Sequence, residues 1–247
     1  MQQRLKRIIC AALLAVAAAP QLINHLTQAA AAQEKSAPPA VPGPSADRFD
    51  LIVREDIFAG MAGDAARFKK GMKLCEEALA KNPNHPEALV WHGGGLLFEG
   101  GQAFQQGDSQ KGGELWQRGR AEQDRAVSLA PDNIAVLIPR AASLFGAAQN
   151  VPVKAIADEL LTIAVNDYEK TLRLQQSYFD KLSAHARAEL LIALAAGWHK
   201  LGKPDNARAY FLRLTKEMPG TAHAKTAQTW LEKQTLPARI NCVGCHA

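Results

Sequence analysis

The chain has 247 residues, of which 47% are apolar and 21% charged, which excludes a disordered tail and a protein with several membrane spans. Its formal net charge is +5, but the first 32 residues carry three of the 29 basic side chains and none of the 24 acidic ones. The remainder is therefore almost neutral. With an aromatic content of only 6%, it gives no basis for a nucleic-acid-binding surface.

Residues 1–32 have the order of segments found in a secretory signal peptide. Three basic residues precede an apolar run over 8–19, and small residues follow at 29–32. The run has 12 residues, whereas a membrane-spanning helix needs about 20. We therefore expect export to the periplasm, with cleavage near Ala32 and no stable membrane span in the mature protein. An uncleaved anchor is the alternative.

Residues 33–47 contain four prolines among alanine, serine and charged residues. Proline lacks the amide donor that helices and sheets need. This composition predicts a flexible linker between the processed end and the folded domain.

From residue 48 to residue 234 the apolar residues follow a helical period. Three predicted helices close in turns that contain Pro83, Pro131 and Pro219. Five residues before these prolines lie residues suited to helix packing, namely Ala78, Ala126 and Leu214. This pattern resembles the tetratricopeptide repeat, a helix pair whose second helix carries a small residue before a closing proline.

The clearest copy of the repeat covers residues 188–219, with Gly202 at its turn. The other copies are less regular. Pro83 and Pro131 are 48 residues apart, against a repeat of about 34, so we expect an insertion over 100–113 that lengthens both helices of that pair. Residues 222–234 are predicted to form a terminal helix that covers the last exposed apolar face with Trp230.

The predicted fold is therefore all-α, a solenoid of antiparallel helix pairs similar to tetratricopeptide repeats, with irregular repeats and one insertion. Such pairs stack because one pair cannot bury its own apolar face. The resemblance implies a concave groove that binds a protein partner. A closed all-α bundle is the alternative fold, and an exported subunit of tripartite substrate importers has a similar repeat organisation.

The tail, residues 235–247, carries the sequence Cys242-Val243-Gly244-Cys245-His246. Cys-x-x-Cys-His is the attachment motif of c-type haem. The two thiols, of Cys242 and Cys245, add to the vinyl groups, and the imidazole of His246 becomes the proximal iron ligand. An exported chain suits this chemistry, and a redox partner is expected to approach the tail.

Two other interpretations of the tail remain open. Only Ala247 follows His246, so any haem pocket must come from the preceding repeats or from a partner. A disulfide or redox pair at Cys242 and Cys245 is the first alternative. Zinc is the second, although it usually takes four ligands and the chain has no second Cys-x-x-Cys pair.

Two histidines of the repeats are candidate ligands. His199 and His223 align with groove-facing positions of first helices, and the tail could fold back so that one of them supplies a second axial ligand or metal ligand. Ordinary polar groove residues are the alternative for both. His92 and Cys75 align with packing positions and are expected to be buried.

The sequence contains no hydrolytic or transferase motif, so we expect no enzyme activity. Two functions follow from the motifs. The first is an exported repeat scaffold with one covalent haem, for electron transfer or for assembly of an electron-transfer complex. The second is a cofactor-free periplasmic adaptor, such as an importer-associated subunit.

Overall fold

The computed structural model describes residues 48–237, and the prediction of an all-α fold is confirmed there. No strand occurs within these residues. The predicted signal peptide and linker, and the Cys-x-x-Cys-His motif, lie outside the described range. The helices are α1 Asp50–Met61, α2 Ala65–Lys81, α3 Pro86–Gln105, α4 Ser109–Leu129, α5 Ile134–Ala148, α6 Lys154–Gln175, α7 Ala184–Lys200, α8 Pro204–Glu217 and α9 Ala222–Lys233, with a 3₁₀ helix at Gln176–Lys181.

The helices form antiparallel pairs, α1 with α2, α3 with α4, α5 with α6 and α7 with α8, and α9 packs on the last pair. The first pair contacts the second through α2 and α3, the second contacts the third mainly through α3 and α5, and the third contacts the fourth through α6 and α7. Extensive contacts between neighbours in chain order are the arrangement of a solenoid rather than of a closed bundle.

Polar side chains cap the start of several helices, and a glycine follows the end of α7. The side chains of Asp64, Asp108 and Thr221 each accept a hydrogen bond from a backbone N–H in the first turn of α2, α4 and α9. Gly202, the predicted turn of the clearest repeat, has a φ of +69°. This left-handed conformation costs glycine little, so the chain reverses there between α7 and α8.

The predicted insertion lengthens both helices of its pair. Residues 100–105 extend α3 and residues 109–113 begin α4, so these helices have 20 and 21 residues. Only a short turn at 106–108 separates them.

Glycines allow the backbones of α3 and α4 to touch. A Cβ atom added to Gly119 would lie 2.7 Å from the carbonyl oxygen of Gly93, and one added to Gly93 would lie 2.7 Å from the carbonyl oxygen of Gly119. Gly93 and Gly119 therefore serve the close packing of α3 against α4.

Buried ion pairs connect successive helices. The Arg140 guanidinium on α5 donates to both carboxylate oxygens of Asp167 on α6, at 2.7 and 2.8 Å. On the other side it reaches Asp124 of α4 at 3.1 Å. His92 of α3, predicted to be packed, has a side chain only 2% exposed, and its Nδ1 lies 2.5 Å from Glu122 Oε2 of α4.

None of the described helices combines the length and the apolar character that a bilayer crossing requires.

Candidate functional site

The described chain ends beside α9, at the base of the predicted haem-binding tail. Gln234 adopts a left-handed conformation, with a φ of 53°, and ends the helix. Residues 235–237 then line a pocket of about 320 Å³ together with Lys225, Thr226 and Thr229 of α9. Leu236 packs against the apolar core. The chain therefore turns back after α9 and lies along the helix toward its N-terminal half.

Aromatic stacking holds α9 on the body. Trp230 is 1% exposed and stacks on Phe211 of α8, with ring centroids 4.4 Å apart. Its indole N–H donates to Nδ1 of His199 on α7 at 3.1 Å. The predicted role of Trp230 is confirmed, and the base of the tail is anchored to a well-packed helix.

This hydrogen bond engages the Nδ1 atom of His199. Because Nδ1 accepts the indole proton, the neutral ring must carry its own proton on Nε2. Burial and the neighbouring charge of Lys200 lower the pKa of His199, which favours this neutral form. Neither ring nitrogen then offers a free lone pair to a metal unless the contact with Trp230 breaks.

His223 is the other histidine predicted as a ligand, and its surroundings differ. It is half-buried in the first turn of α9 and lies near Glu189 and His185 of α7. His185 Nε2 is 3.3 Å from Glu189 Oε1, so those two side chains pair with each other. Within residues 48–237, no hydrogen bond of the His223 imidazole is found.

The surroundings of His223 lower its pKa. Burial lowers the pKa most, the charge of Glu189 raises it and that of His185 lowers it, with a net lowering. Among the described residues, Nδ1 of His199 is engaged by the indole of Trp230, whereas the His223 ring has no such hydrogen bond.

Cys75 is a buried thiol, as predicted. It is fully buried on α2, and burial, followed by the charges of Glu122 and Glu76, raises its pKa to about 12. A thiol held protonated in this way is a poor nucleophile and a poor metal ligand.

His85 lies in the turn before α3 and caps that helix. Its Nδ1 accepts a hydrogen bond from the Ala88 N–H at 3.2 Å, and its ring lies 5.0 Å from that of Phe49.

Sequence reasoning missed the partners of two histidines. Glu122 lies 30 residues from His92 and on another helix, so no local pattern indicates the pair. Glu189 lies near His223 and is four residues after His185 in the chain. This helical spacing is the sequence pattern that indicates the contact of Glu189 with His185.

No three or more His, Cys, Asp or Glu side chains are arranged to hold a metal ion within residues 48–237. Comparisons of the chain with protein-family models, with curated proteins and with solved structures found no match.

Proposed function

We propose that this protein is an exported helical-repeat scaffold that carries one covalent c-type haem on its tail. Cys242 and Cys245 would hold the haem through thioether bonds, and His246 would be the proximal iron ligand. The observation that carries the proposal is the Cys-x-x-Cys-His motif itself, which begins five residues after Pro237. Export, inferred from the signal-like residues 1–32, supports the proposal.

The described structure supports the proposal because the chain that leads to the motif is anchored on the folded body. Leu236 packs against the core and Trp230 anchors α9. When bound, haem supplies a one-electron redox centre, and the role of this chain is to hold it at one end of the solenoid.

Partners are the second part of the proposal. The likeness to tetratricopeptide repeats favours a protein partner in the groove formed by the first helices of the pairs. A redox partner would approach the haem at the tail. The role would be electron transfer, or assembly of an electron-transfer complex, without enzyme activity of its own.

Replacing both tail cysteines tests the cofactor. We expect Cys242→Ala with Cys245→Ala to abolish covalent haem, because no thiol remains to add to the vinyl groups. The helical content should be unchanged, because the motif lies beyond the last helix. Haem absorbance that persists on the denatured protein measures attachment, and far-ultraviolet circular dichroism measures helix content.

Cys75→Ala is the matched control and should retain the haem, because Cys75 is buried in α2. A wild-type chain without covalent haem, produced with the haem-attachment machinery, would contradict the proposal and leave the cofactor-free adaptor. Covalent haem on the double variant would contradict it as well.

A further inference from the structure

We propose that the contact between Trp230 and His199 makes the packing of α9 sensitive to pH. Trp230 anchors α9 while the His199 imidazole is neutral, and protonation of that ring loosens α9 from α7 and α8. The inference goes beyond the proposed function, because it concerns the regulation of the fold by pH and is independent of haem.

The direction of the hydrogen bond is the first argument. The indole N–H of Trp230 can only donate, and it donates to Nδ1 of His199 at 3.1 Å. The two rings meet edge to face, with centroids 5.7 Å apart. Nδ1 accepts this bond through its lone pair, which a second proton on the imidazole would occupy. Two N–H groups would then face each other, and the indole N–H would lose its acceptor.

The burial of Trp230 makes that loss unfavourable. The residue is 1% exposed and stacks on Phe211 of α8, so water cannot replace the acceptor while α9 stays in place. A buried donor without an acceptor is destabilising, and the indole regains a hydrogen bond to water when α9 moves away. The helix has only 12 residues, and terminal elements open at a lower free energy than the core.

The electrostatic surroundings of His199 act in the same direction. Burial lowers the pKa of His199 most, and Lys200 on the same helix lowers it further. Because the pKa is lowered, the neutral ring stabilises the packed state above the ordinary value of 6.5. This stabilisation is lost as the pH falls from that value through the folded pKa. Charged residues at the adjoining ends of the neighbouring helices do not contribute to the shift, namely Lys203 and Asp205 of α8 and Glu232 and Lys233 of α9.

A second group of titratable side chains lies between α7 and α9, at the other end of α9. His223 is in the first turn of α9, near Glu189 and His185 of α7. It is seven residues before Trp230, which is about 10 Å along the helix axis. Separate variants at His199 and His223 therefore distinguish the two ends of α9 as sources of a pH effect.

Hydrogen exchange of the full chain tests the proposal. We expect the amide protection factors of α9 to fall by about tenfold from about pH 8 to about pH 5, after correction for the pH dependence of intrinsic exchange, and those of α3 to fall by less. In His199→Gln the protection of α9 should not depend on pH, because glutamine offers the indole an oxygen acceptor and does not titrate. His223→Gln is the matched control and should keep the wild-type dependence.

Protection of α9 that stays constant with pH in the wild type would overturn the proposal. So would a pH dependence that survives in His199→Gln or disappears in His223→Gln. A second variant, Trp230→Phe, retains an aromatic ring but lacks the indole N–H. The pKa of His199, measured by nuclear magnetic resonance, should rise in this variant, and an unchanged pKa would contradict the role of the hydrogen bond.

Discussion

Glu122→Ala is expected to lower the free energy of unfolding by about 2 kcal/mol, because it leaves a buried ring nitrogen of His92 without its hydrogen-bond partner. The His92 side chain is 2% exposed, and its Nδ1 lies 2.5 Å from Glu122 Oε2. Its other nitrogen is 3.9 Å from Glu76 Oε1, and that carboxylate is 64% exposed and cannot replace Glu122. Urea unfolding followed by circular dichroism measures the loss.

Arg118→Ala is the control, because it removes the other partner of the same carboxylate. Arg118 Nε is 2.9 Å from Glu122 Oε1, but the arginine side chain is 62% exposed. An exposed pair contributes about 1 kcal/mol or less. Equal losses in the two variants would contradict the assignment of the stabilising contact to His92.

The effect of Glu122 should also depend on pH. Burial raises the pKa of Glu122, but the hydrogen bonds and charges of His92 and Arg118 lower it more, so the net shift is downward. A carboxyl with a lowered pKa stabilises the fold above the pKa of the unfolded chain, and this contribution disappears as the pH falls through the folded pKa. The difference between wild type and Glu122→Ala should therefore shrink in acid.

Gly119→Ala is expected to destabilise the fold by about 3 kcal/mol, at the upper end of the usual cost of overpacking. The new Cβ would lie 2.7 Å from the Gly93 carbonyl oxygen, 3.1 Å from Leu97 and 3.2 Å from Leu96. A backbone carbonyl inside a helix cannot rotate away. The helices α3 and α4 would have to separate, and apolar contacts along both of them would weaken.

Gly113→Ala is the control on the same helix. No atom lies within 4 Å of a Cβ placed at this residue. Alanine should therefore stabilise α4 by about 0.5–1 kcal/mol through helix propensity. Thermal unfolding of both variants measures the two stability changes, which should have opposite signs. Destabilisation of similar size in both would show that the close approach at Gly93 is not what requires glycine at residue 119.

Local patterns predicted the helices well. Closing prolines, the turn at Gly202 and the terminal helix with Trp230 all follow from neighbours within one repeat, and each is found where expected. The close approach of Gly93 to Gly119, in contrast, joins two different helices. A local pattern does not specify which residue faces it across a helix pair.

The candidate site was likewise only partly predictable from local sequence patterns. The Cys-x-x-Cys-His motif is a contiguous signal, and it stays a prediction because it lies outside the described residues. The different settings of His199 and His223 could not be predicted, since His199 accepts a hydrogen bond from Trp230 of another helix. This contact is a property of the packed structure.

The intact mass of the exported protein tests the central claim most directly. The account predicts a chain that begins near Gln33 and is heavier than its amino-acid sequence by one haem. A chain processed near Gln33 without the added mass would contradict the proposed haem attachment. A chain that retains Met1 would contradict the proposed export, on which haem attachment depends.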